Sequence, residues 1–308
     1  MRNLKRTLSL ALASVMLVGM MSVGASAVNA SDFTDADEIV NKDAVSTMTA
    51  LGIINGKEDG SYFDPTGNVT RAEMAKMLCV AINGGVDPVL GVKDTPTFTD
   101  IKGTWAESYI EYCAANGIIA GRGNNKFDPT GTVSATEAAK MLLGVLGYSA
   151  EKSGLVGNDW AINTNVLANQ NGLYKKLANL NANTLLTRDN AAQMIYNALD
   201  ANMVELNAAG NYTTSQYSYT GTESVVTGTE RVWVVKIKDS SVNDAIKALD
   251  GSVYNSRQDA IDTLKDANSG TALDTSKYTL EQKTQNVYGE NTVTKYADET
   301  MGHKYLSL

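Results

Sequence analysis

The chain has a single histidine, His303, close to its end. A Ser-His-Asp triad or a histidine-based metal site therefore has almost nothing to draw on. His303 reads as an exposed tail residue. Two cysteines, Cys79 and Cys113, are too few for a disulfide framework. Both fall on apolar helical faces, which makes buried thiols the first reading and a disulfide between them the second. Glu58-Asp59-Gly60 resembles the acidic opening of a calcium loop, but the later ligand positions do not follow EF-hand spacing, so a turn is expected. No Gly-rich phosphate loop of the required form is present. Acidic residues are numerous, yet nothing singles out a pair placed for glycoside hydrolysis. Neither metal, cofactor nor catalysis is expected.

Composition narrows the partners. Of the 308 residues, 43% are hydrophobic, which suits a globular core. Residues 1–27 read as a secretory signal peptide: Arg2, Lys5 and Arg6 precede an apolar run from Leu8 to about Val23, and Ala25-Ser26-Ala27 offers a cleavage site. The run is short of the ~20 residues of a spanning helix, so no membrane association is expected after cleavage. Losing those three positive charges takes the formal charge from -8 to -11. Such a surface argues against nucleic acid, where Lys and Arg contacts to phosphate supply most of the affinity. An anionic polymer would have to be held by a few placed cations.

The elements that could place them come as internal repeats. Phe33-Thr34-Asp35 is echoed by Phe98-Thr99-Asp100, and Leu51-Gly52-Ile53-Ile54-Asn55-Gly56 by Asn116-Gly117-Ile118-Ile119-Ala120-Gly121. Phe63-Asp64-Pro65-Thr66-Gly67 returns as Phe127-Asp128-Pro129-Thr130-Gly131. Val69-Thr70-Arg71-Ala72-Glu73 lines up with Val133-Ser134-Ala135-Thr136-Glu137. A worn third copy follows, in which Trp160 stands as far before Gly172 as Trp105 before Gly117, and Leu186-Thr187-Arg188-Asp189 resumes the last motif.

Each copy reads as two helices joined by a loop. Thr70 with Glu73 and Ser134 with Glu137 form capping boxes. Thr187 caps the third copy without an acid three residues on. Behind these caps lie stripes at helical spacing: Met74, Met77, Leu78, Ala81 and Ile82; Ala138, Met141, Leu142, Val145 and Leu146; Ala191, Met194, Ile195, Ala198 and Leu199. The stripes are core. Gly52, Gly117 and Gly172 are expected left-handed stops for the first helix of each copy. One copy cannot bury its apolar faces alone, so the three must pack on one another.

These motifs resemble the S-layer homology repeats, through the Phe-x-Asp start, the Trp, the Gly-Ile-Ile-x-Gly turn, the Phe63-Asp64-Pro65 turn and the Thr-Arg-Ala-Glu box. The resemblance covers about Phe33 to Asp200. It implies a mainly α N-terminal part in which three repeats, 31–90, 95–150 and 153–203, form a pseudo-threefold spindle around a helical bundle. It further implies non-covalent attachment to secondary cell-wall polysaccharide on peptidoglycan, often through a pyruvylated sugar, with self-association in a surface lattice and a location at the cell wall or S-layer.

In the family, the Arg of the box and a Trp and Asp of the adjoining repeat line each groove. Carried over, Arg71, Asp100 and Trp105 make the complete set. A guanidinium fork matches a carboxylate, an indole offers an apolar face to a sugar ring, and a carboxylate accepts from hydroxyls. The plainer reading is that Arg71 satisfies groups at its helix start and Trp105 is core. Arg188 with Asp35 makes a second groove, where Val40 stands in the Trp position. Trp160 faces a third, where Ala135 replaces the Arg. The expected order of quality is the Arg71, Arg188, then Ala135 groove.

From 204 to 308 the composition turns to Thr, Ser, Tyr, Val and Gly. This part is expected to be α+β or a small β-domain, serving as spacer or display region. Arg231–Lys238 reads as a strand, Thr220–Thr229 as a loop or edge strand, Ala245–Leu249 and Ala260–Leu264 as short helices, and Lys277–Lys295 as β-rich. The rival reading is a wall hydrolase or adhesin on the same anchor, with its activity in or beyond this region.

Overall fold

A computed structural model describes residues 29–177, 180 and 183–308; the expected signal peptide, residues 1–27, lies outside the described residues. The described chain divides into two compact units, one reaching to Tyr217 and resuming at Asp298–Leu308, the other Ser218–Ala297.

Three helix pairs build the first unit: α1 (Lys42–Ala50) with α2 (Arg71–Ile82), α3 (Glu107–Ala115) with α4 (Ala135–Val145), and α5 (Trp160–Gln170) with α6 (Arg188–Leu199). The second helix of each pair starts at a side-chain cap. The Thr70 hydroxyl accepts from the Glu73 N–H at 3.2 Å, and the Glu73 carboxylate accepts from the Thr70 N–H at 2.8 Å. Ser134 and Glu137 make the same exchange at 3.2 and 2.9 Å. Thr187 accepts from the Asn190 N–H at 3.3 Å, with no reciprocal bond shown. The first helices end at Gly52, Gly117 and Gly172, with φ of 71°, 68° and 72°, a conformation that costs glycine nothing.

The pairs close on each other through the backbone. The Val69 N–H donates to the Leu186 carbonyl (2.9 Å), Leu186 to Val133 (2.8 Å), and Val133 to Val69 (2.9 Å). Beside this ring, the first N–H groups of each second helix go to a neighbouring pair. Arg71 and Ala72 donate to Gly131 and Pro129, Arg188 and Asp189 to Gly67 and Pro65, and Ala135 to Thr184. Helix-start N–H groups have no partner within their own helix; here adjacent turns supply one.

Side-chain packing follows the same cyclic order. The first helix of each pair lies on the second helix of the preceding pair: α3 on α2, α5 on α4, and α1 on α6. Helix α4 also touches α2 and α6. Met74, Leu78, Ala138, Leu142, Met194 and Ile195 are fully buried in the common core.

The end of the chain returns to this unit. Strands β1 (Val204–Leu206) and β2 (Tyr212–Thr214) form a hairpin. After β3 (Gln216–Ile237) and β5 (Tyr278–Asp298), helix α9 (Met301–Leu306) packs on α2 and α6. Thr300 caps α9, and Met301 and Leu306 are buried. This overturns the reading of His303 as an exposed tail residue. Its ring stacks on Tyr217 with centroids 3.6 Å apart, and its Nδ1 lies 3.6 Å from Glu299. The apolar Met301 and Leu306, five positions apart, give no helical stripe long enough to read.

In the second unit, β3 pairs antiparallel with β4 (Val253–Tyr254), placing Trp233 opposite Tyr254 and Val234 opposite Val253. The sheet order is β4-β3-β5. Helices α7 (Asp244–Lys247) and α8 (Arg257–Ala267) complete it, around Val235, Val242, Ile246, Ala260 and Leu264. Thr220–Thr229, expected as a loop or edge strand, lies in the middle of β3. Its side chains are mostly exposed, so no apolar alternation marked it as ordered.

The caps set a prediction. Ser134→Ala should cost about 1 kcal/mol, measured as a lower urea midpoint with an unchanged m-value. Asn190→Ala should cost less, because that side chain returns no bond to Thr187.

Candidate functional site

The two box arginines leave their helix starts and enter the loop of a neighbouring pair. Arg71 donates from Nε to the Phe127 carbonyl (2.8 Å) and from Nη2 to Ala120 (2.6 Å), with its guanidinium 4.3 Å from the Phe127 ring centre. Arg188 does the same one step round, with Nε to Phe63 (2.7 Å), Nη2 to Asn55 (2.8 Å) and the Phe63 ring at 5.0 Å. They are 3% and 5% exposed. Burial pulls both guanidinium pKa values down, Arg71 to about 10, which leaves Arg71 charged at neutral pH. Two carbonyls and a π face compensate each charge, and the Glu137 carboxylate, 3.3 Å from Nη1, adds to them for Arg71.

The aspartates grip the same phenylalanines from the other side. Asp100 accepts from the N–H groups of Phe127 and Asp128 at 2.9 and 2.8 Å. Asp35 accepts from Phe63 and Asp64 at 2.9 and 2.7 Å. Burial pushes the Asp100 carboxyl up, but the two backbone donors outweigh it and hold it below its ordinary value. Arg71 and Asp100 thus meet at Phe127, and Arg188 and Asp35 at Phe63.

Trp105 lies elsewhere. It is 60% exposed and lines a cavity of about 170 Å³ with Asn55, Lys76, Asp87 and Arg188. The expected trio of Arg71, Asp100 and Trp105 is therefore split, and Trp105 shares its groove with Arg188. The reason is the packing order. Trp105 precedes α3, which lies on α2, whereas Arg71 starts α2 and points on into the second pair's loop.

In this first groove Lys76 bonds Asp87 at 2.8 Å, and the Tyr109 hydroxyl donates to Asp87 at 2.6 Å. The Asp87 hydrogen bond holds the Lys76 ammonium above its ordinary pKa. Trp105 and Tyr109 stand with ring centres 6.3 Å apart.

A second groove of about 510 Å³ repeats the pattern one pair on, lined by Ile118, Ile119, Ala120, Lys140, Tyr148 and Glu151 among others. Lys140 sits 5.2 Å from the centre of the half-buried Trp160 ring. Trp160 is tied to this groove through Lys140 and is not one of its lining residues. Gly144 stands here where the first groove has Val80, nine positions into each box helix. A Cβ on Gly144 would come within 2.9 Å of the Ile118 backbone.

Lys76 and Lys140, each five residues after the box position, were missed by motif reading; aligning the copies at that column would have found them. The third copy has Gln193 there, and it is buried. Gln193 donates to Asn197 at 2.8 Å, and Asn197 donates to the Leu173 and Lys175 carbonyls at 3.0 and 2.8 Å. The equivalent place is filled by the protein's own amides.

Arg122 was also missed. It makes a forked contact with Glu137 at 2.8 and 2.9 Å and reaches Asp128 at 2.7 Å. Its counterpart in the first copy is the Lys57–Asp64 ion pair.

Residues 32–75 and 97–139 match the S-layer homology domain. An S-layer protein of Bacillus licheniformis is 30% identical over 113 residues, 37% of this chain and 12% of its own. A cell surface protein of Thermoanaerobacter kivui is 28% identical over 207 residues, 67% of this chain and 26% of its own. Exoglucanase XynX of Acetivibrio thermocellus is 28% identical over 156 residues, 47% and 14% of the two chains. This chain therefore spans about a quarter or less of these relatives. Two of its segments match S-layer homology domains, and its place is outside the cell, at the cell wall or S-layer.

Two outcomes follow for the buried charges. Arg188→Ala should destabilise the first unit by about 3 kcal/mol, because the Phe63 and Asn55 carbonyls lose their donors. Arg188→Lys should not restore it, as thermal melts will show. For Glu137, burial raises the carboxyl pKa, but the Ser134 N–H, Arg122 and Arg71 outweigh burial and lower it. A depressed carboxylate stabilises above its unfolded value, and that stability is lost as pH falls through the folded value. The deficit of Glu137→Gln should be full near about pH 6 and shrink toward about pH 3, read by denaturation at each pH.

Proposed function

We propose that residues 33–200 act as three S-layer homology repeats that anchor the exported chain by binding an acidic secondary cell-wall polysaccharide on peptidoglycan, without catalysis. The observation that carries this reading is the recurrence of one groove beside the glycine loop: Lys76 and Trp105 line the first, and Lys140, with the Trp160 ring against it, lines the second. The buried arginines and aspartates act as clamps that shape the loops, and the exposed indole and the lysines meet the glycan.

The two grooves differ in charge. Lys76 is already matched by Asp87, which suits the first groove to a neutral sugar face on Trp105. Lys140 makes no ion pair among the described residues, its ring contact with Trp160 aside. Burial lowers its pKa. An incoming carboxylate would supply the missing charge. The third place is closed by Gln193 and Asn197, so the module has two working sites, and avidity between them strengthens attachment.

The matching measurement is co-sedimentation of the full chain with cell walls, intact or stripped of secondary polymer. Trp105→Ala should weaken binding about tenfold, equivalent to about 1.4 kcal/mol. Lys140→Gln should weaken it comparably and flatten its salt dependence, while Gln193→Ala should leave affinity unchanged. Equal pelleting with stripped walls would sink the polysaccharide reading.

A second reading, in which the same module anchors a glycan hydrolase, draws on the names of the exoglucanase relative and of endo-1,4-beta-xylanase A from Thermoanaerobacterium saccharolyticum. Release of reducing sugar from xylan or glucan by the full chain would favour it.

A further inference from the structure

We propose that Cys79 and Cys113 are a disulfide cross-linking site that fastens the first helix pair to the second in the exported protein. This stands apart from glycan binding.

The chain has two cysteines in 308 residues, and both lie where α2 crosses α3. Their sulfurs are 3.3 Å apart. The arrangement is reciprocal: Cys79 Sγ lies 3.5 Å from the Tyr109 carbonyl, four residues before Cys113, and Cys113 Sγ lies 3.6 Å from the Ala75 carbonyl, four residues before Cys79. A disulfide needs sulfurs about 2.05 Å apart, so closure asks for little more than 1 Å. The two equivalent crossings differ. Four residues before Gly52 and Gly172 stand Met48 and Ala168; eight after the box position in α6 and α4 stand Tyr196 and Leu143. Those crossings are closed by apolar packing, whereas this one places two thiols in contact.

Both cysteines are fully buried. Hydrogen bonding with Cys79 and then burial push the Cys113 thiol well above its ordinary pKa, so the closed crossing holds a poor nucleophile. The chemistry belongs to the exported chain before its pairs close, in an oxidising compartment. One cysteine loses its proton and attacks a sulfur of an external disulfide, R–S–S–R, releasing R–S⁻. The second cysteine, also deprotonated, attacks the protein sulfur of that mixed disulfide and displaces the other R–S⁻. Two protein thiols are oxidised to one disulfide, the external disulfide is reduced to two thiols, and the two protons end on them.

The bond would close the loop between residues 79 and 113, which carries Asp87, Trp105 and Tyr109. It would therefore hold one wall of the first groove on the other.

The test refolds the full chain with and without oxidised glutathione. With it, the protein should become lighter by two hydrogen atoms, and proteolysis without reductant should give one peptide pair joining Cys79 to Cys113. Thiol titration in denaturant should fall from two per chain to none. The oxidised protein should melt roughly 5–10 °C higher than the reduced protein, and reductant should reverse the shift. The reduced wild type is the folded baseline, so no cysteine variant is needed. Two free thiols per chain after oxidative refolding, or only mixed and intermolecular disulfides, would overturn it.

Discussion

The first unit depends on a ring of three backbone hydrogen bonds, Val69 to Leu186, Leu186 to Val133 and Val133 to Val69. Helix starts are the most demanding points of an α-helix, because their N–H groups need outside acceptors. Here each box helix finds them in the turn of another pair. Unpaired buried backbone groups cost about 1–3 kcal/mol each, so no pair can leave without exposing its neighbours' donors. Three similar segments thereby become one cooperative body. The ring also decides chemistry, since a side chain at the first helical position must project into the loop whose carbonyls hold that helix start.

That projection explains the arginines. Arg71 and Arg188 reach the loop carbonyls at Ala120 and Asn55, two positions that line the two grooves. Two of the guanidinium donors of each arginine are spent on loop carbonyls, and in Arg71 a third faces Glu137; the arginines fix the loop rims that border the grooves. On the proposed reading, positioning falls to the buried arginines and recognition to the more exposed lysines and indoles.

Much of the local architecture was legible in the sequence. Thr70, Glu73, Ser134 and Glu137 advertise helix starts, the glycines their stops, and the apolar stripes a shared core, because each signal acts within a few residues. The pairing of grooves was not legible. Whether α3 lies on α2 or on its own partner α4 is a non-local matter, and motif spacing is silent on it. Trp105 was consequently matched with Arg71, when the fold seats it beside Arg188. Arg122 escaped notice because its partners, Asp128 and Glu137, fall at no regular spacing from it. The long exposed strand β3 lacked any buried face to mark it.

Repetition with drift then gives each interface its own character. The column five residues after the box holds Lys76, Lys140 and Gln193. The first is neutralised by Asp87 and the second lies against a ring; the third is an amide turned inward. On a chain with formal charge -8, an anionic polymer meets net repulsion, so local cations carry disproportionate weight. One ring of hydrogen bonds can preserve the fold while such columns diverge, because the ring uses only backbone atoms. The backbone therefore keeps the symmetry, and the side chains are free to break it.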